Sequence, residues 1–210
     1  MVNDFSTSGM QNALAANGIA HRRMFIDIGI MQNITERVEN GVTYYYTGIY
    51  SGYFTAIAKT TDFITWEYVA SPDFPNNSLW ENATYVLGDR VYYFARQNEC
   101  LQGFLTYYDL NTGKWETPFL IADDQSRSDF FFYKNRLYLI HAPKDRRGFG
   151  IVRVDTEDLT RSTPVMVADL KSSFFYPFTK MVGDELYISY TVARQHIRLS
   201  KIDFAKYVTE

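Results

Sequence analysis

Several features that mark common functional classes are scarce or missing in this chain of 210 residues. It has one cysteine, Cys100, which excludes an internal disulfide and a zinc site built from cysteines. Lysine and arginine are dispersed and the net charge is −3, so no basic block could follow a phosphate backbone. No apolar run approaches the roughly 20 residues of a membrane span. Nucleic acid and a membrane are therefore not expected partners, whereas the oligomeric state stays open.

Helical periodicity and metal-ligand spacing are missing as well. Only residues 9–20 suggest a helix, and they could equally form an irregular lead-in to the first strand. His21, His141 and His196 are scattered, so we expect no metal and no cofactor. The opening "MVNDFSTSGMQ" does not resemble a signal peptide. If the chain is a fragment whose missing start carries one, the protein would be periplasmic or secreted.

Aromatic residues are what the chain has in excess. It contains 17 tyrosines, 16 phenylalanines and 3 tryptophans, and 46% of all residues are hydrophobic. Aromatic side chains favour the half-buried surface of a β-sheet, so this composition favours β structure. They also suit sugar binding, although packing in a core is their commoner use.

One pattern recurs at intervals of about 47 residues. Each copy has a polar turn followed by an alternating strand with tyrosine at a fixed place: "ENGVTYYYTGIY", "LGDRVYYFARQN", "YKNRLYLIHAPK" and "VGDELYISYTVA". Apolar strands flank each copy, and four antiparallel strands per repeat of this length indicate an all-β fold, a β-propeller of four-stranded antiparallel blades. The alternative is a two-sheet sandwich. The repeats cover residues 24–70, 80–122, 126–169 and 173–208 of one propeller domain or fragment.

About four blades fit into this chain, and we expect them to belong to a propeller of five or six blades. Residues before Met1, a smaller ring, or a second chain could each complete the circle.

The third strand of a repeat ends in a recognisable turn. "TTDFITWE" is nearly a Ser-x-Asp-x-Gly-x-Thr-Trp turn, the Asp-box, but is one residue short, and "YYDLNTGKWE" and "VDTEDLTRST" are looser versions. In such a turn the aspartate accepts hydrogen bonds from backbone amides while the tryptophan packs between strands. We therefore expect a structural role for Asp62 and Trp66, away from the functional face.

Polar side chains recur at one position of the repeat, about eleven residues before the repeated tyrosine. The occupants are Asn33, Glu81, Arg127 and Tyr176. Innermost strands of a propeller line a common axis, so the last three side chains are expected to meet in one funnel. A glutamate can accept the proton of a phenol and so activate it as a nucleophile, and an arginine can grip a carboxylate in a bidentate fork.

The sequence resembles the sialidase (neuraminidase) superfamily, specifically the bacterial sialidase-like propellers with BNR repeats. "FFYPFTKMVGDELYISYTVARQHIRLSKIDF" is similar to the closing blade of that group, and "WENATYVLGDRVYYFARQ" and "SRSDFFFYKNRLYLIHA" to the two preceding blades. The resemblance implies Tyr176 as nucleophile, Glu81 as its base, and Arg96 and Arg127 as two members of an arginine triad. Arg194 matches a recurring arginine, although pairing with Asp184 or Glu185 would explain it equally well.

The chain also departs from the sialidase pattern. That family needs an arginine from the first blade and a catalytic aspartate from an early loop. Arg22, Arg23 and Asp27 are the only candidates found, and they lie in the wrong blade.

Four functions follow. Three have a glycan or small carbohydrate as partner, and the fourth is a protein-interaction scaffold, which has only the fold in its favour. The first is a retaining, sialidase-like glycoside hydrolase with Tyr176 as nucleophile. The second is a hydrolase of the five-bladed arabinanase or fructosidase kind, in which Glu81 donates a proton and Tyr176 is a sugar platform. The third is a carbohydrate-binding propeller without catalysis.

Overall fold

The computed structural model describes the chain in segments, which are residues 16, 26–27, 33–51, 54–72, 79–97, 102–121, 126–143 and 145–208. These residues form four antiparallel sheets and two short 3-10 helices, Leu159–Arg161 and Phe204–Tyr207. Each sheet is a blade, and the four blades follow one another in chain order around a common axis. The all-β propeller predicted from the sequence is confirmed, and the two-sheet sandwich is excluded.

In blade 1, two short strands at the inner edge pair with the same neighbour. Both β1 and β2 hydrogen bond to β3, which continues through β4 to β5. The expected first strand, residues 24–31, is described only at Ile26 and Asp27, and the strand that forms the hairpin with β3 lies further along. The strands of this blade are β1 (Ile26–Asp27), β2 (Thr35–Glu39), β3 (Val42–Ser51), β4 (Phe54–Thr60) and β5 (Trp66–Ala70).

Blades 3 and 4 are regular meanders in which sequential strands pair, whereas in blade 2 the two short final strands, Lys114–Trp115 and Phe119–Ile121, both pair with the third strand. Blade 2 contains β6 (Leu79–Leu87), β7 (Arg90–Gln97), β8 (Gln102–Asp109), β9 (Lys114–Trp115) and β10 (Phe119–Ile121). Blade 3 contains β11 (Asp129–Tyr133), β12 (Arg136–His141), β13 (Gly148–Val154) and β14 (Thr163–Asp169). Blade 4 has three strands among the described residues, namely β15 (Phe175–Val182), β16 (Glu185–Val192) and β17 (His196–Asp203).

The repeated polar turns join the first two strands of each blade because their residues tolerate a left-handed backbone. In blade 1, Asn40 and Gly41 have φ values of 51° and 80°, the combination that a type I′ hairpin turn requires. Blade 3 achieves the same turn without glycine, since Lys134 and Asn135 have φ values of 45° and 59°. The turn residues therefore set the register of each hairpin.

The core lies between neighbouring blades. One apolar cluster joins blades 1 and 2, a second joins blades 2 and 3, and a third joins blades 3 and 4. The repeated tyrosines Tyr92 and Tyr138 belong to these clusters, and the ring of Tyr138 contacts Phe204 of the next blade with centroids 5.1 Å apart. The regular tyrosine position thus reflects packing between sheets rather than sugar binding.

The antiparallel topology separates two ends of the propeller. We call the end where β6, β11 and β15 begin, and where β3, β7, β12 and β16 finish, the upper end. The hairpin turns and the turns after the third strands lie at the lower end.

At the lower end, Asp62 accepts hydrogen bonds from the backbone amides of Ile64 and Thr65 at 2.8 and 2.7 Å, and Trp66 is buried. Asp109 and Asp155 accept amide hydrogen bonds in the same way. Such Asx turns occur in many folds, so they explain the local structure without identifying a family.

Candidate functional site at the upper end

Two of the predicted site residues lie in irregularities of innermost strands. The pairing of β6 with β7 shifts between Leu79 and Asn82, and the pairing of β15 with β16 shifts between Phe175 and Phe178. Glu81 and Tyr176 fall inside these β-bulges. A bulge interrupts the ladder and redirects a side chain, which is why bulges are frequent beside active sites.

Glu81 forms a buried ion pair with Arg96, which lies near the end of the adjacent strand β7. Both residues are 7% exposed, and Nη1 of Arg96 donates to Oε2 of Glu81 at 2.8 Å. Among the described residues, Oε1 of Glu81 accepts no hydrogen bond. Arg96 thus fixes one oxygen of Glu81, and the other oxygen can accept a hydrogen bond from a ligand.

The strand segment that carries Glu81 is anchored to blade 1 through Asn82. The buried amide of Asn82 donates to the carbonyl oxygen of Ile49 at 2.8 Å and to the hydroxyl groups of Thr55 and Tyr93 at 2.6 and 3.0 Å. Because these partners come from two strands of blade 1 and from β7, the backbone of Glu81 is held between two blades.

Arg127 links three blades across the axis. Its side chain is 1% exposed, and Nη2 donates to the hydroxyl group of Tyr50 in blade 1 at 2.6 Å. The guanidinium carbon lies 5.2 Å from the ring centroid of Tyr50 and 5.8 Å from that of Tyr176. A charged group this close to two aromatic rings is stabilised by cation–π attraction.

Tyr176 has an unusual backbone. Its φ is +54°, a region that residues other than glycine rarely adopt, and its amide donates to Oγ of Ser126 at 3.3 Å. Pro177 follows in the same bulge, where its missing N–H costs no ladder hydrogen bond. In the described part of the chain, no hydrogen bond joins Tyr176 to Glu81, so the expected pair of nucleophile and base is not in contact.

Asn33, the fourth member of the predicted series, has a different role. Its backbone and side-chain amides donate to the two oxygens of Asp129 at 3.2 and 2.9 Å. Thr179 donates to the same carboxyl group through its amide and hydroxyl, at 2.7 and 2.6 Å. Burial raises the pKa of Asp129 to about 7, although the hydrogen bonds from Thr179 and Asn33 act in the opposite direction. The carboxyl group joins blades 1, 3 and 4, and sequence analysis missed it.

Arg194 lies at the upper end, in the turn between β16 and β17. The pairing considered from the sequence is wrong, because Asp184 accepts from Tyr133 and Glu185 pairs with Lys201, both at the lower end. The guanidinium carbon of Arg194 lies 5.5 Å from the ring centroid of Phe175 instead.

His141 ends strand β12 at the same end of the propeller. Burial lowers its pKa to about 4, so the ring is neutral at pH 7. A Cβ atom at Gly150 would come within 2.4 Å of Nε2, which shows how closely the ring packs on the neighbouring strand.

Comparison with known proteins gives a likeness in structure only. No protein-family model matches the sequence, and neither does any curated protein. An exo-β-1,3-galactanase from Phanerochaete chrysosporium, solved with β-1,3-galactotriose, has a TM-score of 0.62 and 11% identity, over 81% of this chain and 46% of that enzyme. An exo-β-1,3-galactanase from Clostridium thermocellum has a TM-score of 0.63 and 11% identity, over 81% and 45% of the two chains. A Bacteroides ovatus GH43 protein from a xyloglucan locus has a TM-score of 0.56 and 14% identity, over 82% and 38%.

These proteins share their fold with this chain. The chain spans less than half the length of each of the three, and identities this low establish the propeller architecture alone. The similar structures are GH43 glycoside hydrolases rather than sialidases, so the sialidase interpretation and its BNR repeats are not supported. What the comparison establishes is the β-propeller fold. No helix among the described residues is long and apolar enough to cross a membrane.

Proposed function

We propose that the protein is a propeller glycoside hydrolase that acts on a glycan, with Glu81 as the carboxyl group that protonates the departing glycosidic oxygen. The observation that carries this proposal is the position of Glu81 in a bulge of an innermost strand, buried and with one oxygen held by Arg96. Such a group is fixed in place, which general acid catalysis requires, while its second oxygen stays available.

Two-carboxylate hydrolysis needs a second acid, and Asp27 is the residue that we assign to it. Asp27 in β1 is the strand partner of Tyr50, whose hydroxyl group accepts the hydrogen bond from Arg127. The backbone of Asp27 therefore belongs to the upper end of an innermost strand, as Glu81 does. Asp129 is unsuitable because four hydrogen bonds already engage its two oxygens. Arg22 and Arg23, the other early candidates, lie outside the described residues.

Arg127 and Tyr176 would then bind the sugar rather than attack it. Tyr176 presents a half-buried ring beside the guanidinium of Arg127, and aromatic rings are suitable platforms for the apolar face of a sugar. Arg96 would position Glu81 through their ion pair.

The test is hydrolysis of a panel of aryl glycosides and natural glycans that includes β-1,3-galactan, arabinan and a sialoside. We expect cleavage of a glycan, a loss of about 10²-fold or more for Asp27→Asn, and most activity retained in Tyr176→Phe. Abolished turnover in Tyr176→Phe together with cleavage of the sialoside would restore the phenolic nucleophile and contradict the proposal.

A carbohydrate-binding protein without catalysis is the second candidate. The ion pair with Arg96 holds the carboxylate of Glu81 as a fixed hydrogen-bond acceptor, which can bind a sugar hydroxyl group without transferring a proton. If no member of the panel is cleaved but glycans bind to the wild-type protein, this second function replaces the first.

A further inference from the structure

Two arginines at the upper end converge on one aromatic ring. Arg146 lies in the loop between β12 and β13, and Arg194 in the equivalent turn of the next blade. Their guanidinium carbons are 5.0 and 5.5 Å from the ring centroid of Phe175. Phe175 directly precedes Tyr176, so both guanidinium groups lie beside the proposed sugar platform.

The backbone hydrogen bonds fix the three segments to one another. The amide of Phe174 donates to the carbonyl oxygen of Arg146 at 2.7 Å, and the amide of Ala193 donates to Oγ of Ser173 at 2.5 Å. Both arginine-bearing loops are thus attached to the segment that carries Phe175. The arrangement is part of the fold and not a chance approach of two long side chains.

The backbone of these loops is strained. Arg146, Ala193 and Arg194 have φ values of +55°, +52° and +56°, and Tyr176 adopts the same region. Positive φ at Ala193 and Arg194 belongs to the hairpin turn between β16 and β17, whereas Arg146 and Tyr176 adopt it in a loop and in a bulge, and such strained residues cluster at ligand sites.

Arg96 and Arg194 lie close enough to Arg146 for their like charges to repel it. The pKa of Arg146 is lowered by burial and by repulsion from Arg96 and Arg194, and the attraction of Glu81 and Tyr176 only partly offsets this. In the described part of the chain, neither Arg146 nor Arg194 forms an ion pair, whereas Arg37 and Arg161 each pair with an acidic residue. An anionic ligand would relieve this repulsion.

We propose that Arg146 and Arg194 bind the acidic group of a sugar, a carboxylate or a sulfate ester, in a subsite built on the ring of Phe175. The two guanidinium groups offer planar donor pairs for the oxyanion, and the ring packs against the apolar face of the sugar. This inference rests on the proposed function, because it defines the substrate as an acidic glycan whose charged residue occupies the position next to Glu81.

The experiment is calorimetric titration of the protein with D-galacturonate, galactose 6-sulfate and D-galactose at low ionic strength. At least one acidic sugar should bind about tenfold or more tightly than D-galactose, and added salt should weaken that binding. Arg146→Gln and Arg194→Gln should each remove most of the difference, whereas Arg147→Gln, which changes an exposed arginine in the same loop, should preserve it. Thermal denaturation of every variant verifies that the fold is intact.

The sugars distinguish the two sources of the oxyanion. Preference for D-galacturonate assigns a carboxylate, preference for galactose 6-sulfate assigns a sulfate ester, and equal binding assigns an oxyanion of either kind. Equal affinity for all three sugars, or loss of binding in Arg147→Gln as well, would overturn the subsite. Because the titration needs no turnover, acidic sugars that bind to an inactive protein would refute the hydrolase and leave the subsite standing. Cleavage of neutral glycans, together with no tighter binding of the acidic sugars, would support the hydrolase and refute the subsite.

Discussion

Glu81 and Asp129 are both buried carboxylic acids on innermost strands of adjacent blades, yet their surroundings are opposite. Asp129 receives four hydrogen bonds from neutral donors of Asn33 and Thr179, and neither of its oxygens remains available. Glu81 is held by one charged group, the guanidinium of Arg96, through a single oxygen. In the first environment the carboxyl group joins three blades, whereas in the second one carboxylate oxygen accepts no hydrogen bond from the described residues.

The strands that carry these two residues also differ in the regularity of their pairing. β11 runs without a register shift from Asp129, whereas β6 carries a bulge at Glu81 and β15 carries another at Tyr176. Regular pairing around Asp129 maximises stability. Interrupted pairing costs ladder hydrogen bonds but directs side chains toward a ligand.

The comparison predicts that Asp129→Asn mainly damages stability. Asparagine supplies one acceptor oxygen and places an amide against the donors of Asn33 or Thr179, so we expect the free energy of unfolding to fall by about 1 to 3 kcal/mol. Urea denaturation at pH 7 measures this. Asp203→Asn, an exposed residue at the end of β17, is the control and should change stability little. Full stability in Asp129→Asn would remove the distinction between the two carboxylates.

The pH dependence of the unfolding free energy is a second test of the role of Asp129. Burial raises the pKa of Asp129 to about 7 in the folded protein, from the ordinary value of 3.8 for an aspartate. Between these values the folded state binds more protons than the unfolded state, so ionisation of Asp129 lowers stability as pH rises from about 4 to 7, by at most about 1.4 kcal/mol per pH unit. The difference in unfolding free energy between wild type and Asp129→Asn should therefore shrink over that range. A difference that grows with pH would show that the hydrogen bonds outweigh burial.

Tyr50→Phe tests the link that Arg127 makes across the axis. Removing the hydroxyl group deletes one acceptor of a buried guanidinium, and we expect a loss of about 1 kcal/mol in unfolding free energy. Tyr45→Phe is the matched control, since its ring packs on Phe63 at the lower end. Equal effects of the two substitutions would argue against a special role for the Arg127 contact.

The smallest effect is expected at the lower end. Backbone amides of Thr65 and Ile64 lower the pKa of Asp62, so its ionised form stabilises the turn above about pH 4, and this contribution is lost on acidification through the folded pKa. Asp62→Ala should reduce the melting temperature slightly at pH 7 and leave ligand binding unchanged, as measured by thermal denaturation and titration. Lost binding in a folded Asp62→Ala protein would mean that the two ends are coupled.

Sequence reasoning succeeded where the structure is local and periodic. Gly41 and Asn135 belong to hairpin turns that their residue types determine. The tyrosine spacing follows from one equivalent position in each blade, which is buried at Tyr92 and Tyr138 and half-buried at Tyr44 and Tyr187. The shared position of Glu81, Arg127 and Tyr176 likewise predicted residues at one end of the propeller.

Sequence reasoning failed where contacts between distant segments determine the position of a residue. Asn33 has the right spacing, but the first strand of blade 1 is split into β1 and β2, so this residue meets Asp129 instead of the site. Arg146 lies in a loop whose left-handed backbone is held by Phe174, and no sequence pattern encodes that contact. Sequence analysis also paired Glu81 with Tyr176 as base and nucleophile, whereas among the described residues the hydrogen-bond partner of Glu81 is Arg96.

We propose that Glu81 takes part in catalysis, whereas Asp129 stabilises the fold. Turnover and sugar binding, both measured on Glu81→Gln, test this proposal most directly. We predict that turnover of the cleaved glycan falls by about 10²- to 10⁴-fold while the dissociation constant of a bound product sugar changes by less than about threefold. Undiminished turnover in Glu81→Gln, or a loss of binding as large as the loss of turnover, would contradict the assignment.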